Sequence, residues 1–174
     1  KKESIITFAG SPNHGKTAVL INIARGMCTP CPENKDLSIL FWSLDDSRNI
    51  SWSKILASMT RTTISDIRKP TRRIYEDQAL TRTYNEWFEF LKEQVRQQKI
   101  LVKGYEIGSD LKSIEYWIKY VQDRTGNSVV LLVDALHDMC TGIQAQDSDE
   151  RIKCVRIFDW FQRTTEQLSY TVIS

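Results

Sequence analysis

Gly10-Ser11-Pro12-Asn13-His14-Gly15-Lys16-Thr17 has two glycines with four residues between them, followed at once by a lysine and a hydroxyl. This spacing suits a phosphate. Glycines let the backbone wrap an oxyanion with successive N–H groups turned inward. A helix opening near Lys16 adds the positive end of its dipole. Lys16 would then reach the outer phosphates, and the Thr17 hydroxyl would bind Mg²⁺. The pattern has this meaning only between a strand and a helix. Ile5-Ile6-Thr7-Phe8-Ala9 reads as that strand, and Thr17 to Arg25 as that helix. Residues 10–17, with Ala18 beside them, are therefore the expected nucleotide-binding segment, and ATP with Mg²⁺ the expected ligands.

Such a site needs carboxylates as well. Val129-Val130-Leu131-Leu132-Val133 is the most apolar run in the chain, and it ends in Asp134. A buried strand delivering an aspartate at its end is the pattern that holds a Mg²⁺ shell. Thr17 and Asp134 are thus the expected metal-binding pair. Hydrolysis also calls for a carboxylate that orients the attacking water. Ala135, Leu136 and His137 follow Asp134, so the candidates are Asp45 and Asp46, just past a second apolar run, Leu37 to Ser43. Both aspartates could instead serve only to cap the helix that starts near Ser47.

These residues need a parallel sheet to hold them. Strands are expected at 5–9, 37–43, 100–102, 129–133 and 170–174, with helices between them. Trp52, Ile55, Leu56 and Met59 form one helical stripe. Leu80, Tyr84, Trp87, Phe88, Leu91 and Val95 form a longer one, read as core rather than as a base-stacking platform. Ile64 to Arg68 reads as a short helical turn stopped by Pro70. Ser109 or Asp110 caps a helix bearing Leu111, Ile114, Trp117, Ile118 and Val121, and Gly126 ends it. A last helix aligns Ile152, Val155, Phe158 and Phe161. Strand–helix alternation predicts an α/β fold with helices on both faces of a mostly parallel sheet, and ligands at the carboxyl ends of its strands.

The composition is that of a globular protein. The chain has 174 residues, 41% hydrophobic and 26% charged, enough for one domain with a sizeable core. A formal net charge of +2 is too mild to require a polyanionic partner. No apolar run approaches the ~20 residues of a membrane span, and no signal peptide opens the chain, so a cytoplasmic protein with no membrane partner is expected. Cys28-Thr29-Pro30-Cys31 is a Cys-x-x-Cys without a second pair or histidines to complete a zinc site, and reads as a proline-rich loop. Arg61, Arg68, Lys69, Arg72 and Arg73 face one acid, Asp66. They suit a solvated surface segment, or alternatively a phosphate-backbone or subunit contact.

Three segments together resemble the motor domain of DnaB-type replicative helicases, within the RecA-like ATPases. Pro12 to Thr17 is similar to the family's P-x-x-G-K-T. Trp42-Ser43-Leu44-Asp45-Asp46-Ser47 resembles its F-S-L-E-M-S, and Leu132 to Met139 resembles its V-V-D-Y-L-Q-L-M. The resemblance covers nearly all of the chain. It implies a RecA-like P-loop fold and an ATP-driven motor on single-stranded DNA, working as a homo-oligomeric ring, a hexamer. It also implies that Asp45 stands in for the family's catalytic glutamate, one methylene shorter, and acts with Lys16 in catalysis. The family's strand-end glutamine, second DNA-binding loop and arginine finger would follow Ser174, so a fold truncated at its carboxyl end is expected. Residues 141–149 would match the first channel-facing loop, here with Asp147 and Asp149 and no basic residue. The resemblance further implies that the strand at 170–174 is central, pairing with both 5–9 and 129–133. Other RecA-like ATPases, recombinase or regulator, and a nucleotide-binding module without turnover are the alternative readings.

Overall fold

The structure is a computed structural model that describes residues 3–9, 14–69, 75–107, 110–136, 139 and 150–174. Among these residues five strands form one sheet: β1 (Ile5–Ile6), β2 (Leu37–Ser43), β3 (Ile100–Lys103), β4 (Ser128–Asp134) and β5 (Thr171–Ile173). Their order across the sheet is β1-β5-β4-β2-β3, and every pairing is parallel. The central pair, β2 and β4, runs in register over seven residues, from Leu37 opposite Ser128 to Ser43 opposite Asp134. Their near-continuous apolar sequences follow from burial on both faces, as parallel strands require.

Alternation along the strands separates two cores. Ile39 and Phe41 of β2 join Val130 and Leu132 of β4 on one face. There they meet α1 (Lys16–Cys28), α2 (Arg48–Thr60), α3 (Ile64–Arg68) and α4 (Gln78–Arg96). Leu40, Trp42, Val129, Leu131 and Val133 face the other way, against α5 (Leu111–Thr125) and α6 (Glu150–Leu168). The expected helices on both faces are thus present. No helix of the described residues is long and apolar enough to cross a membrane.

β5 lies between β1 and β4, as expected: Val172 is opposite both Ile5 and Leu131. β1 is shorter than the expected 5–9: Ile5 and Ile6 alone pair with β5 as strand. One further bond continues the line, from Phe8 N–H to the Ser174 carbonyl at 2.6 Å.

Caps formed largely where expected. The Ser47 hydroxyl accepts from Ile50 N–H at the start of α2. The Asp110 carboxylate accepts from Lys112 N–H at the start of α5, and Gly126 closes that helix at φ 69°. Ser109, Pro70, Arg72 and Arg73 lie outside the described residues.

Two apolar stripes differ from expectation. In α6 the buried apolar side chains are Ile157 and Phe161, whereas Ile152, Val155 and Phe158 are 40%, 53% and 37% exposed. The expected stripe advanced three residues at each step. At about 100° per residue, the nine residues from Ile152 to Phe161 turn the helix by roughly 180°, to opposite sides. In α4, Leu91 and Gln94 are buried and Tyr84 and Trp87 pack against the core, while Phe88 and Val95 are each 42% exposed.

Candidate functional site

The carboxyl ends of β2 and β4 and the start of α1 converge on one cavity of about 710 Å³. Gly15 sits at the head of α1 with φ 79°, in the left-handed region where a side chain would be strained. Its carbonyl accepts from Val19 N–H at 3.0 Å, which starts the helix. Lys16 and Thr17, the first helical residues, line the cavity. His14 and Ala18 flank them, and Ala18 also lines the cavity. Gly10, Ser11, Pro12 and Asn13 lie outside the described residues, as do His137, Asp138 and 141–149.

The hydroxyl of Thr17 donates to Oδ1 of Asp134 at 3.0 Å, across 117 residues of sequence. Asp134 is the last residue of β4 and only 4% exposed. The peptide bond that follows it is cis. Leu44 N–H donates to the Asp134 carbonyl at 2.6 Å, so the exit of β2 is tied to the same point. Burial holds the Asp134 carboxyl above the usual carboxylate range. Thr17 and Lys54 pull it back, and Asp46 and Asp45 push it further up. A buried carboxylate of this kind gains from a cation beside it.

Asp45 and Asp46 have different surroundings. Asp45 is exposed and lines the cavity. Asp46 does not line it: its carboxylate is ion-paired with Lys54 of α2. Its N–H donates to the Ser43 hydroxyl at 3.0 Å, and its carbonyl accepts from Tyr105 N–H at 3.1 Å. Adjacent carboxylates therefore point to different partners, one to the cavity and one to a lysine.

Lys54 is the residue that sequence reasoning missed. It lines the cavity with Lys16, and these two are the cations among the lining residues. The available signal was a lysine set within the apolar stripe of Trp52, Ile55, Leu56 and Met59.

The residues fit Mg²⁺ and a nucleotide. The cavity has the size of a small-molecule site. A hydroxyl and a carboxylate in contact offer the hard oxygen ligands that Mg²⁺ takes while keeping several waters. Among the described residues, no group of three or more His, Cys, Asp or Glu side chains is arranged to hold a metal by itself. Cys28 and Cys31 are free thiols, and burial pushes Cys28 up to about 12, the behaviour of an inert structural cysteine.

A larger cavity, about 840 Å³, lies between α2, α3 and α4, against Trp52, Tyr84, Phe88 and Leu91. It has no carboxylate in its lining.

A family model described as the DnaB-like helicase C-terminal domain matches residues 1–173. No curated protein sequence matches the chain significantly. Among solved structures, that of a DnaB-like replicative helicase, described with its interactions with primase, superposes with a TM-score of 0.76 at 17% identity. The match covers 98% of this chain and 37% of that one. The all-parallel sheet flanked by helices is accordingly the RecA-like α/β fold that was expected.

Proposed function

Because the chain belongs to the DnaB-like helicase C-terminal domain family, we propose that it is the ATP-hydrolysing motor of a replicative DNA helicase. Binding and hydrolysis of Mg·ATP would drive movement along single-stranded DNA and separation of duplex, within a ring of identical subunits. The observation that carries this reading is the contact of Thr17 Oγ1 with Asp134 Oδ1 inside a cavity that Lys16 and Asp45 also line. The ring, the DNA and a cytoplasmic setting are supported by family membership alone.

Phosphoryl transfer leaves a protein little covalent work, so the residues act by position and charge. The Lys16 ammonium offsets charge on the outer phosphates, and the opening N–H groups of α1 face the same oxygens. The Thr17 hydroxyl and the Asp134 carboxylate would hold Mg²⁺, which supplies a further counter-charge to the phosphates. Asp45, exposed toward the cavity, accepts a proton of the attacking water and aims its oxygen. Its side chain is a methylene shorter than glutamate, so this water must lie close to the exit of β2.

Lys16→Ala in the intact protein tests the reading. ATP turnover should fall to background while the fold, followed by circular dichroism, is kept. Turnover at the parent rate would overturn the assignment.

A further inference from the structure

The proposed site uses Lys16, Thr17, Asp45 and Asp134, and leaves Lys54 and Asp46 unexplained. They form an ion pair in which Lys54 lines the same cavity and Asp46 does not, with side chains 24% and 14% exposed. An aspartate at position 46 is a feature of this chain: the helicase motif F-S-L-E-M-S has methionine there. A bare carboxylate beside Asp45 and near Asp134 would add repulsion to a site that must take up a polyphosphate. Lys54 removes that repulsion.

We infer that Lys54 is a second phosphate-binding cation, which trades the Asp46 carboxylate for the terminal phosphate when a nucleoside triphosphate occupies the cavity. This rests on the nucleotide reading above and adds to it a means of telling triphosphate from diphosphate.

Three observations support it. The wall of the cavity formed by α2 includes Lys54, Ala57 and Ser58, and Lys54 is its one cation. Lys54 lines the same cavity as Asp134, and its side chain is only 24% exposed, so it faces the proposed site rather than an outer surface. Its partner Asp46 is the chain neighbour of Asp45, the residue proposed to face the attacking water beyond the last phosphate. A diphosphate ends short of that point, and a triphosphate reaches it.

The exchange is favourable on charge grounds. Asp46 offers one negative charge, and a terminal phosphate offers nearly two with more acceptor oxygens. Asp46 itself stays in place, because its N–H and carbonyl are bonded to Ser43 and Tyr105. Only the lysine side chain has to move, and a long flexible stem suits it to that.

The test compares dissociation constants for ADP and for a non-hydrolysable ATP analogue, both with Mg²⁺, in the intact protein. Lys54→Met should weaken the analogue by about tenfold, the loss of one charge-assisted hydrogen bond, while ADP stays within about twofold. Lys54→Arg should recover most of the analogue's affinity. Asp46→Asn removes the competitor and should tighten the analogue several-fold, with ADP unchanged. Equal weakening of both nucleotides by Lys54→Met, or no weakening of either, would overturn the inference, as would an Asp46→Asn variant that fails to favour the analogue. Should Lys54→Met fail to fold, the analogue-to-ADP ratio of Asp46→Asn decides. A parent protein that binds neither nucleotide would overturn the nucleotide reading itself, an outcome distinct from these.

Discussion

Lys103 ends β3 with its ammonium 3.0 Å from the centroid of the Trp117 ring, and among the described residues no carboxylate pairs with it. Burial, reinforced by nearby Arg48, lowers it from 10.5 to about 8. The unfolded chain therefore holds this proton to higher pH than the folded one, and stability from this group rises with pH between about 8 and 10.5. Cys28 and Tyr170 act the other way: burial raises each to about 12, so the unfolded chain ionises first. Differencing isolates Lys103. Denaturant melts of the parent and of Lys103→Met at pH 7.5 and pH 10 should show the parent gaining relative to the variant; an unchanged gap would contradict the burial argument. A second prediction concerns the two aspartates. Asp45→Asn should lower ATP turnover by about 100-fold or more, and Asp46→Asn by much less; the reverse order would move the water-orienting role to Asp46. That Lys16, Thr17 and Asp134 meet at one cavity was legible in the sequence, because it depends on local spacing and on a strand's last residue. Lys54 was not, because its partner is set by how the turn after β2 delivers the chain into α2.

Helix ends in this chain follow local chemistry closely, and two glycines make that testable. Gly126 closes α5 at φ 69°, where an alanine is strained, so Gly126→Ala should cost about 1 kcal/mol in a denaturant melt. Gly26 lies within α1 with open space around it, and Gly26→Ala should add about 0.5–1 kcal/mol. The same sign for both would break the argument. Gly104 has a different reason to be glycine: a Cβ there would collide with the Arg48 backbone and the Glu106 carboxylate. Glu106 in turn accepts from Arg48 N–H at 3.1 Å, so the exit of β3 is pressed against the start of α2. Caps and apolar runs could be read from sequence because each lies within a few residues. The facing of α6 could not, because a three-residue repeat drifts around a helix and the burying face is chosen by the sheet beneath it. Ile157 and Phe161 face that sheet, with Trp160 and Leu168 packed partly against the same core.

Across the whole molecule, the sheet divides two cores, and its central strands bear most of the packing. Leu131 of β4 is fully buried and Val155 of α6 is 53% exposed. Leu131→Ala should cost roughly 3 kcal/mol, and Val155→Ala should stay within about 0.5 kcal/mol; comparable losses would contradict the burial pattern. Fold class was legible because strand–helix alternation and buried runs admit few solutions. The position of β5 was reached through family likeness, since nothing within Tyr170 to Ser174 says which strands it joins. That position has a consequence for how the protein is made. β1 is the first of the five described strands to be made, yet its one described strand neighbour, β5, is the last of the five to emerge. The two meet through Val172 N–H to the Ser4 carbonyl and Ser174 N–H to the Ile6 carbonyl, each at 2.9 Å, and through hydroxyls 167 residues apart. Closing so long a loop is slow. Until it closes, β1 lacks its strand partner and has only the packing of Ile5 against the core beneath α6. A nascent chain would thus carry Gly15, Lys16, Thr17 and Asp134 before β1 has its strand partner, and the sheet beside their cavity would be completed only once β5 has emerged.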